Sequence, residues 1–146
     1  MKRNAISLCW LFWSALQGQI LQDQTLQVSS PDQTLHFKLS ISQTPDESGV
    51  PVYSLQWKNK TVILDSRLGI VTAEKPAWTS GFTLVDHRIQ TIDETWRPVY
   101  GEKSRVRNHY TECIADLLQD QHENRKMQLI IRVYNTGAAF SYFFPE

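Results

Sequence analysis

The ten residues QTLHFKLSIS, from Gln33 to Ser42, alternate between apolar and polar side chains with a period of two. In an extended chain this spacing puts the apolar residues on one face: Leu35, Phe37, Leu39 and Ile41. The polar residues take the other face, so we expect His36 to point toward solvent. The pattern predicts a half-buried β-strand.

A predicted turn and a second strand follow this segment. The run TPDESG gathers Pro, Asp, Ser and Gly, as turns do. The next run, VYSLQW, predicts a strand with three side chains on one side: Tyr53, Leu55 and Trp57. We expect the chain to reverse at Asn59 and Lys60 into the strand TVIL, because asparagine tolerates positive φ.

The remaining strand-like segments predict an all-β protein. They are GFTLVDHRIQTI (residues 81–92), with an interrupted alternation, MQLIIRVY (127–134) and its hairpin partner GAAFSYFF (137–144). The run TECIADLLQDQ (111–121) has a composition that permits a helix, but its position between strand-like runs favours a strand. No segment has a convincing helical period, and the economical architecture is an antiparallel β-sandwich.

Composition and absent motifs exclude several classes of protein. The chain has 146 residues, 41% of them hydrophobic, and no formal net charge, which fits one globular domain and excludes a disordered or collagen-like chain. Scattered Lys and Arg argue against binding to nucleic acid. Because the sequence lacks GxSxG, HExxH, GxxxxGK, GxGxxG and CxxC motifs, common serine hydrolases, zincins, nucleotide binders and zinc ribbons have no support.

The first residues predict a secretory signal peptide. Lys2 and Arg3 precede the apolar run AISLCWLFWSAL (residues 5–16), which is shorter than the ~20 residues that a stable membrane span needs. We expect residues 1–18 to be cleaved and the mature chain, 19–146, to be secreted or periplasmic. A retained membrane anchor is the alternative.

The mature chain has one cysteine, Cys113. A single cysteine cannot form an internal disulfide, so the stability of the domain must come from an apolar core. We interpret Cys113 as a small buried residue and not as a nucleophile.

Residues 94–112, ETWRPVYGEKSRVRNHYTE, are the candidate functional region because aromatic, basic, acidic and amide side chains concentrate there. Trp96 and Tyr100 flank a proline, and they either offer flat faces to a sugar ring or pack in the core or in a seam between domains. Asn108 and His109 either hydrogen-bond a local turn or reach toward the mouth of an active site.

The glutamates of this region also have two interpretations. Glu94, Glu102 and Glu112 are either a reactive carboxyl set or solvated and ion-paired groups, with three arginines as available partners: Arg97, Arg105 and Arg107. A glycosidase needs one carboxyl with a raised pKa and one that stays ionised, and sequence spacing establishes neither. The residues that we name as candidates for substrate binding or for a domain interface are Trp96, Tyr100, Glu102, Asn108 and His109.

The same region carries a resemblance to a known family. Together with RKMQLIIRVYNTGAAFSYFFPE it resembles the amino-terminal domain of glycoside hydrolase family 97, and a weaker similarity extends back to Val28 through SPDQTLHFKLSIS and the LGI at residues 68–70. The matching residues are Trp96, Pro98, Tyr100, Gly101, Glu102, Arg107, Asn108, His109, Tyr110, Glu112, Arg132, Val133, Gly137, Phe140, Tyr142, Phe144, Pro145 and Glu146.

The resemblance implies an architecture and a chemistry. Members of that family have an amino-terminal β-super-sandwich, a central (β/α)₈ barrel that carries the catalytic carboxylates, and a carboxy-terminal β-sandwich. They hydrolyse α-glucosidic or α-galactosidic bonds, usually with a calcium ion near the active site. The present sequence ends at Glu146, so we expect a partial amino-terminal domain that lacks the barrel, binds no cofactor of its own and is inactive alone.

Two functional hypotheses follow. In the first, the chain is the amino-terminal portion of a secreted α-glycosidase, which packs against the catalytic barrel and helps to shape a cleft for α-linked oligosaccharide. In the second, it is a free-standing, non-catalytic carbohydrate-binding module. The apolar run GAAFSYFF would leave an exposed strand edge in a partial sandwich, so we expect residues 19–146 to be poorly soluble when expressed alone.

Overall fold

The computed structural model describes residues 24–73, 77–119 and 124–145, and within these ranges every regular element is a β-strand. The described residues therefore include no helix long and apolar enough to cross a membrane. The predicted signal peptide, residues 1–18, lies outside the described residues. The strands are β1 (Gln24–Ser29), β2 (Leu35–Ser42), β3 (Val50–Trp57), β4 (Lys60–Arg67), β5 (Phe82–Trp96), β6 (Val106–Gln119), β7 (Arg125–Tyr134) and β8 (Gly137–Phe143).

The eight strands form two antiparallel sheets, as the predicted β-sandwich requires. The first sheet has the order β1-β2-β3-β4 and the second has the order β5-β6-β7-β8, so each sheet is a simple meander. Strands β1 and β2 lie over β6 and β7. Tyr53 of β3 meets Phe140 of β8, with ring centroids 5.3 Å apart. Because both sheets alternate in the same way, they bury one apolar face each against the other.

The buried core confirms the alternation of apolar and polar side chains that was predicted for β2. All four of its predicted inward side chains are buried, and Phe37 stacks on Tyr53 with centroids 5.4 Å apart. His36 lies on the opposite face, where its Nδ1 atom is 2.8 Å from the Ser29 hydroxyl in a hydrogen bond. The buried residues that join the two sheets are Leu26, Val28, Leu35, Phe37, Leu39, Ile41, Leu68, Phe82, Cys113, Ala115, Leu117, Met127, Leu129, Ile131 and Val133.

The turn between β3 and β4 lies one residue earlier than we predicted. Trp57 pairs with Lys60, so the two turn residues are Lys58 and Asn59, and both have positive φ, 47° and 64°. Two successive positive φ values match the twist of a two-residue hairpin, and Asn59 supplies one of them as expected. Lys60, which we placed in the turn, is the first residue of β4.

The sequence of residues 111–121 permits either a helix or a strand. The described part of this segment, residues 111–119, is a strand. It forms most of β6, whose Cys113, Ala115 and Leu117 point into the core. The alternative of a helix is therefore wrong for residues 111–119. Strand β5 has the predicted interruption, a register shift between Leu84 and Asp86.

Gly49 fixes one end of the sandwich. Its carbonyl accepts a 2.9 Å hydrogen bond from the backbone N–H of Phe82, so the start of β3 is tied directly to the start of β5. Its φ is 67°, and a Cβ added there would lie 2.5 Å from the Phe82 nitrogen. Only glycine combines this φ with so close a backbone approach.

Candidate functional site

The candidate region forms a two-stranded ribbon at one end of the second sheet. Strands β5 and β6 pair from Phe82 with Gln119 to Trp96 with Val106, whereas β7 pairs with β6 only from Thr111 onward. Residues 92–96 and 106–110 therefore continue past the last pair between β6 and β7, and residues 97–105 close their tip. A ribbon of two strands is marginally stable in water on its own, so this extension is suited to contact with another surface.

The predicted aromatic residues of the region are exposed. Trp96, at the end of β5, is 52% exposed, and Tyr100, in the tip, is 90% exposed. Glu102 is also an exposed residue of the tip. These exposures contradict packing in the core, which was one interpretation of the two aromatic side chains. A platform for a sugar ring and a seam between domains remain.

Asn108 and His109 lie on opposite faces of the ribbon. The Asn108 side chain donates a 2.8 Å hydrogen bond to Glu94, its direct partner on β5. His109 pairs with Asp93 on the other face, where the Arg107 guanidinium donates two hydrogen bonds of 2.7 and 2.6 Å to that carboxylate. Hydrogen bonding from Arg107 lowers the pKa of Asp93. The five predicted residues thus share a ribbon but do not converge on one point.

Glu112 is held by hydrogen bonds that keep its carboxylate ionised. Glu112 is buried and ion-paired: Nε of Arg132 donates to Oε2 at 2.8 Å, and the Gln90 amide donates to Oε1 at 2.8 Å. Burial opposes ionisation of Glu112, but these hydrogen bonds outweigh it and its pKa is lowered. A carboxyl with a lowered pKa is unsuited to act as a general acid.

The arginine partners also differ from those we predicted. Arg107 binds Asp93 and not a glutamate, and the cation beside Glu112 is Arg132, which lies outside the candidate region. The guanidinium of Arg132 also sits over the Tyr110 ring at 5.0 Å, and Tyr110 contacts Tyr134 with centroids 5.0 Å apart. Sequence reasoning missed this cluster because it depends on the register between β6 and β7.

Cys113 has the structural role that we expected. Its side chain is fully buried in the core, and burial raises the pKa of the thiol to about 11. A thiol in this state is a poor nucleophile at neutral pH.

The described residues bring no three His, Cys, Asp or Glu side chains together in a way that could hold a metal ion. They also form open clefts, among them two that lie away from the ribbon. One, of about 460 Å³, lies between Trp57 and Val62 of the first sheet and the turn after β7. The other, of about 470 Å³, lies on the second sheet between Val85, Lys126 and Pro145.

Comparison with known proteins identifies a family whose model matches most of this chain. The model of the family described as Glycosyl-hydrolase 97 N-terminal matches residues 28–146. That span includes seven of the eight strands completely, and it includes the whole ribbon.

Solved structures show the same fold. A Glycoside Hydrolase Family 97 enzyme from Pseudoalteromonas sp. strain K8, solved in complex with panose and also in complex with acarbose, is 25% identical, with a TM-score of 0.75 over 83% of this chain. A beta-arabinopyranosidase is 26% identical, with a TM-score of 0.71 over 83% of this chain. The chain spans 18% of the length of each of these enzymes.

Proposed function

This chain belongs to the family of glycosyl-hydrolase 97 N-terminal domains, and from that membership we propose that it is the non-catalytic, amino-terminal portion of a secreted or periplasmic α-glycosidase. In this role it packs against a catalytic barrel and helps to shape a cleft for α-linked oligosaccharide. The proposed partner is the barrel of the same enzyme, and carbohydrate is bound through that enzyme. The observation that supports the proposal most strongly is the family match from residue 28 onward.

The hydrogen-bond partners of two glutamates in the candidate region support a non-catalytic role. Glycoside hydrolysis requires two carboxyl groups roughly 5 to 9.5 Å apart, one protonated and one ionised. Glu94 of β5 and Glu112 of β6 are each bound to a different partner, Asn108 and Arg132. We therefore propose that the reactive carboxylates belong to the barrel.

The projecting ribbon is the part of this chain that we propose to reach the substrate cleft. Trp96 and Tyr100 present exposed aromatic faces, which are the surfaces that sugar rings pack against. Glu102 lies in the tip, and Asn108 and His109 lie on opposite faces of the ribbon; each carries a hydrogen-bonding group. For the calcium ion that the family resemblance implies for the full-length enzyme, we propose no ligand in this chain.

The proposal is tested by the gene and by its product. We expect the reading frame to continue beyond the codon for Glu146 into a barrel with glutamates at its strand ends. The intact product should hydrolyse an α-glucoside or an α-galactoside, and β-arabinopyranosides belong in the same assay because one matched enzyme carries that name. A stop codon after Glu146, with a monomeric product that binds oligosaccharide, would overturn the proposal in favour of a free-standing binding module.

A further inference from the structure

We propose that β8 is an internal strand in the complete enzyme, where its free edge pairs with an extended segment that follows Glu146, an inference that rests on the proposed function. In the described part of the chain, β8 pairs with β7 on one side and with no strand on the other. Such an edge presents unpaired N–H and C=O groups that another extended segment can bind. The added segment would be a fifth strand of the second sheet.

The four edge strands of the sandwich differ in how they are protected against such pairing. Strand β4 carries Lys60, Asp65 and Arg67, and its pairing with β3 is irregular. Strand β5 carries acidic and basic side chains and has a register shift near its start. Strand β1 has no charge, but four of its six residues are polar. In β8 only Ser141 and Tyr142 carry a polar group, and its pairing with β7 is regular throughout. Because charges and bulges are what protect natural sheet edges, β8 has the composition of a strand inside a sheet.

The two sheets are offset, so that β4 has no described strand opposite it. Strand β3 lies over β8, because Tyr53 packs against Phe140 with ring centroids 5.3 Å apart. Strand β4 is the next strand beyond β3, whereas β8 is the last described strand of the second sheet. Neighbouring strands lie about 4.8 Å apart in any sheet. A strand added at the free edge of β8 would therefore lie opposite β4.

Apolar side chains point into the open space opposite β4. No residue of β4 is buried, although Ile63 pairs with Leu55 and so points toward the second sheet. Phe140 of β8 also points inward, yet it is 39% exposed. The cleft of about 460 Å³ lies at this place, and its residues Trp57 and Val62 are 45% and 59% exposed. Large apolar side chains that are grouped and exposed in this way mark a surface that a further element covers.

The occupant that fits this space is a single extended segment of the same polypeptide. The matched family is described as N-terminal, and this chain spans 18% of each matched enzyme, so in those enzymes much more polypeptide accompanies this region. The side chains that the segment points toward the first sheet should be apolar, because they would meet Ile63, Phe140 and the cleft beside Trp57.

A second copy of this chain fits the edge less well. In that copy β3 would again lie over β8, which places it in the space that β4 already occupies. Two copies therefore cannot close each other's edges while both keep this fold. The poor solubility that we expect of the isolated chain agrees with an edge that no second copy closes.

Hydrogen exchange of the backbone amides in β8 tests the proposal without a substitution. In an edge strand about half of the N–H groups point away from the neighbouring strand. In the 146-residue chain at low concentration, we therefore expect about half of the amides of residues 137–143 to exchange rapidly. In the intact enzyme these amides should exchange about tenfold more slowly or less, because each is then bonded to the added strand and exchanges only during transient opening.

Cysteine labelling distinguishes an added strand opposite β4 from a domain that only covers the edge of β8. Val62→Cys lies in the cleft, and Thr61→Cys is an exposed neighbour on the same strand. In the 146-residue chain we expect a maleimide to label both positions quickly. In the intact enzyme, labelling of V62C should slow by about tenfold or more relative to the same enzyme unfolded in urea. Mass spectrometry of the peptide that contains residue 62 separates this label from those on other cysteines.

The outcomes separate the added strand from the proposed function. Rapid exchange in β8 of an active intact enzyme would overturn the added strand and leave the proposed function standing. Fast labelling of V62C in the folded, active enzyme would do the same, since the space opposite β4 would then be open. Protection of β8 that is lost when the intact enzyme is diluted would identify a second copy as the occupant and contradict the proposal. A gene that encodes nothing beyond Glu146 would overturn both.

Discussion

Arg132 and Glu112 lie directly opposite each other on β7 and β6, and the arginine Nε donates a 2.8 Å hydrogen bond to Oε2 of the glutamate. The glutamate side chain is only 9% exposed, whereas that of the arginine is 47% exposed. Gln90 of β5 satisfies the other carboxylate oxygen. The pair therefore joins three adjacent strands, β5, β6 and β7, on the side of the second sheet that points away from the core. It lies at the base of the ribbon.

Removal of the Arg132 side chain should destabilise the domain more than neutralisation of Glu112. Arg132→Ala leaves a shielded carboxylate without its cation, which costs about 1 to 3 kcal/mol in the free energy of unfolding, toward the lower value because the arginine is half exposed. Glu112→Gln should cost less, since an amide can still bond to Gln90. Urea unfolding at pH 7 measures both. A double variant as unstable as the sum of the two single ones would show that the pair is not coupled.

The lowered pKa of Glu112 predicts an acid-sensitive contribution to stability. Because its pKa is lower when folded than when unfolded, the contribution is fully present above the ordinary pKa of 4.5 and is lost as the pH falls through the folded pKa. The stability difference between the natural chain and Glu112→Gln should therefore shrink in acid. Urea midpoints measured at intervals from neutral pH to about pH 3 give this difference. A difference that stays constant over the range would contradict the role of the ion pair.

Gly49 should tolerate no side chain. Gly49→Ala combines strain from a φ of 67° with a Cβ that lies 2.5 Å from the Phe82 nitrogen, and should lower the free energy of unfolding by about 3 kcal/mol or more. The matched control is Gly137→Ala, where an added Cβ has no atom within 4 Å. Thermal melting of the two variants compares them. Small and equal shifts in the melting temperatures of the two variants would mean that the close contact between Gly49 and Phe82 does not require glycine.

The ribbon tip should affect substrate binding in the intact enzyme without affecting folding. Tyr100 is 90% exposed, so Tyr100→Ala should leave the melting temperature nearly unchanged while KM rises several-fold, if an aromatic platform is worth about 1 kcal/mol. Val99→Ala is the control, because Val99 is equally exposed but lacks an aromatic face. The same comparison applies to Trp96, Glu102, Asn108 and His109. Unchanged turnover and KM with a lower melting temperature would assign these residues to structure.

The edge of β8 should cause the chain to associate when it is alone. Residues 137–143 carry no charge, and no described strand pairs with the far side of β8, so the edge is open to another chain. We expect sedimentation to show association that grows with concentration. Ser141→Lys should reduce it, and Gln27→Lys on β1 should not. A natural chain that stays monomeric and melts sharply would contradict this prediction.

Much of the fold could be predicted from the sequence because alternation is a local property. The inward residues of β2 and the interruption in β5 follow from which side chains recur every second position. The strand at residues 111–119 was predicted from its place between strand-like runs. The turn at Lys58 and Asn59 was predicted one residue too late, because asparagine favours positive φ but does not fix which position of the turn it occupies.

The site was less predictable because its contacts depend on the register between strands and on which face of the ribbon each side chain occupies. The sequence indicated the ribbon as the crowded region, but not that Asn108 and His109 point to opposite sides or that Trp96 is exposed. The partner of Glu112 is twenty residues away on another strand, where only the pairing of β6 with β7 brings Arg132 beside it. A sequence alone contains both residues but not that pairing.

Release of nitrophenol from p-nitrophenyl α-glucoside and α-galactoside, by the purified chain and by the intact enzyme side by side, tests the non-catalytic role most directly. We expect release by the intact enzyme and none above the buffer blank by the chain, at any chain concentration. Release that follows the chain through two different columns, and that disappears when the chain carries Gly49→Ala, would contradict the proposal.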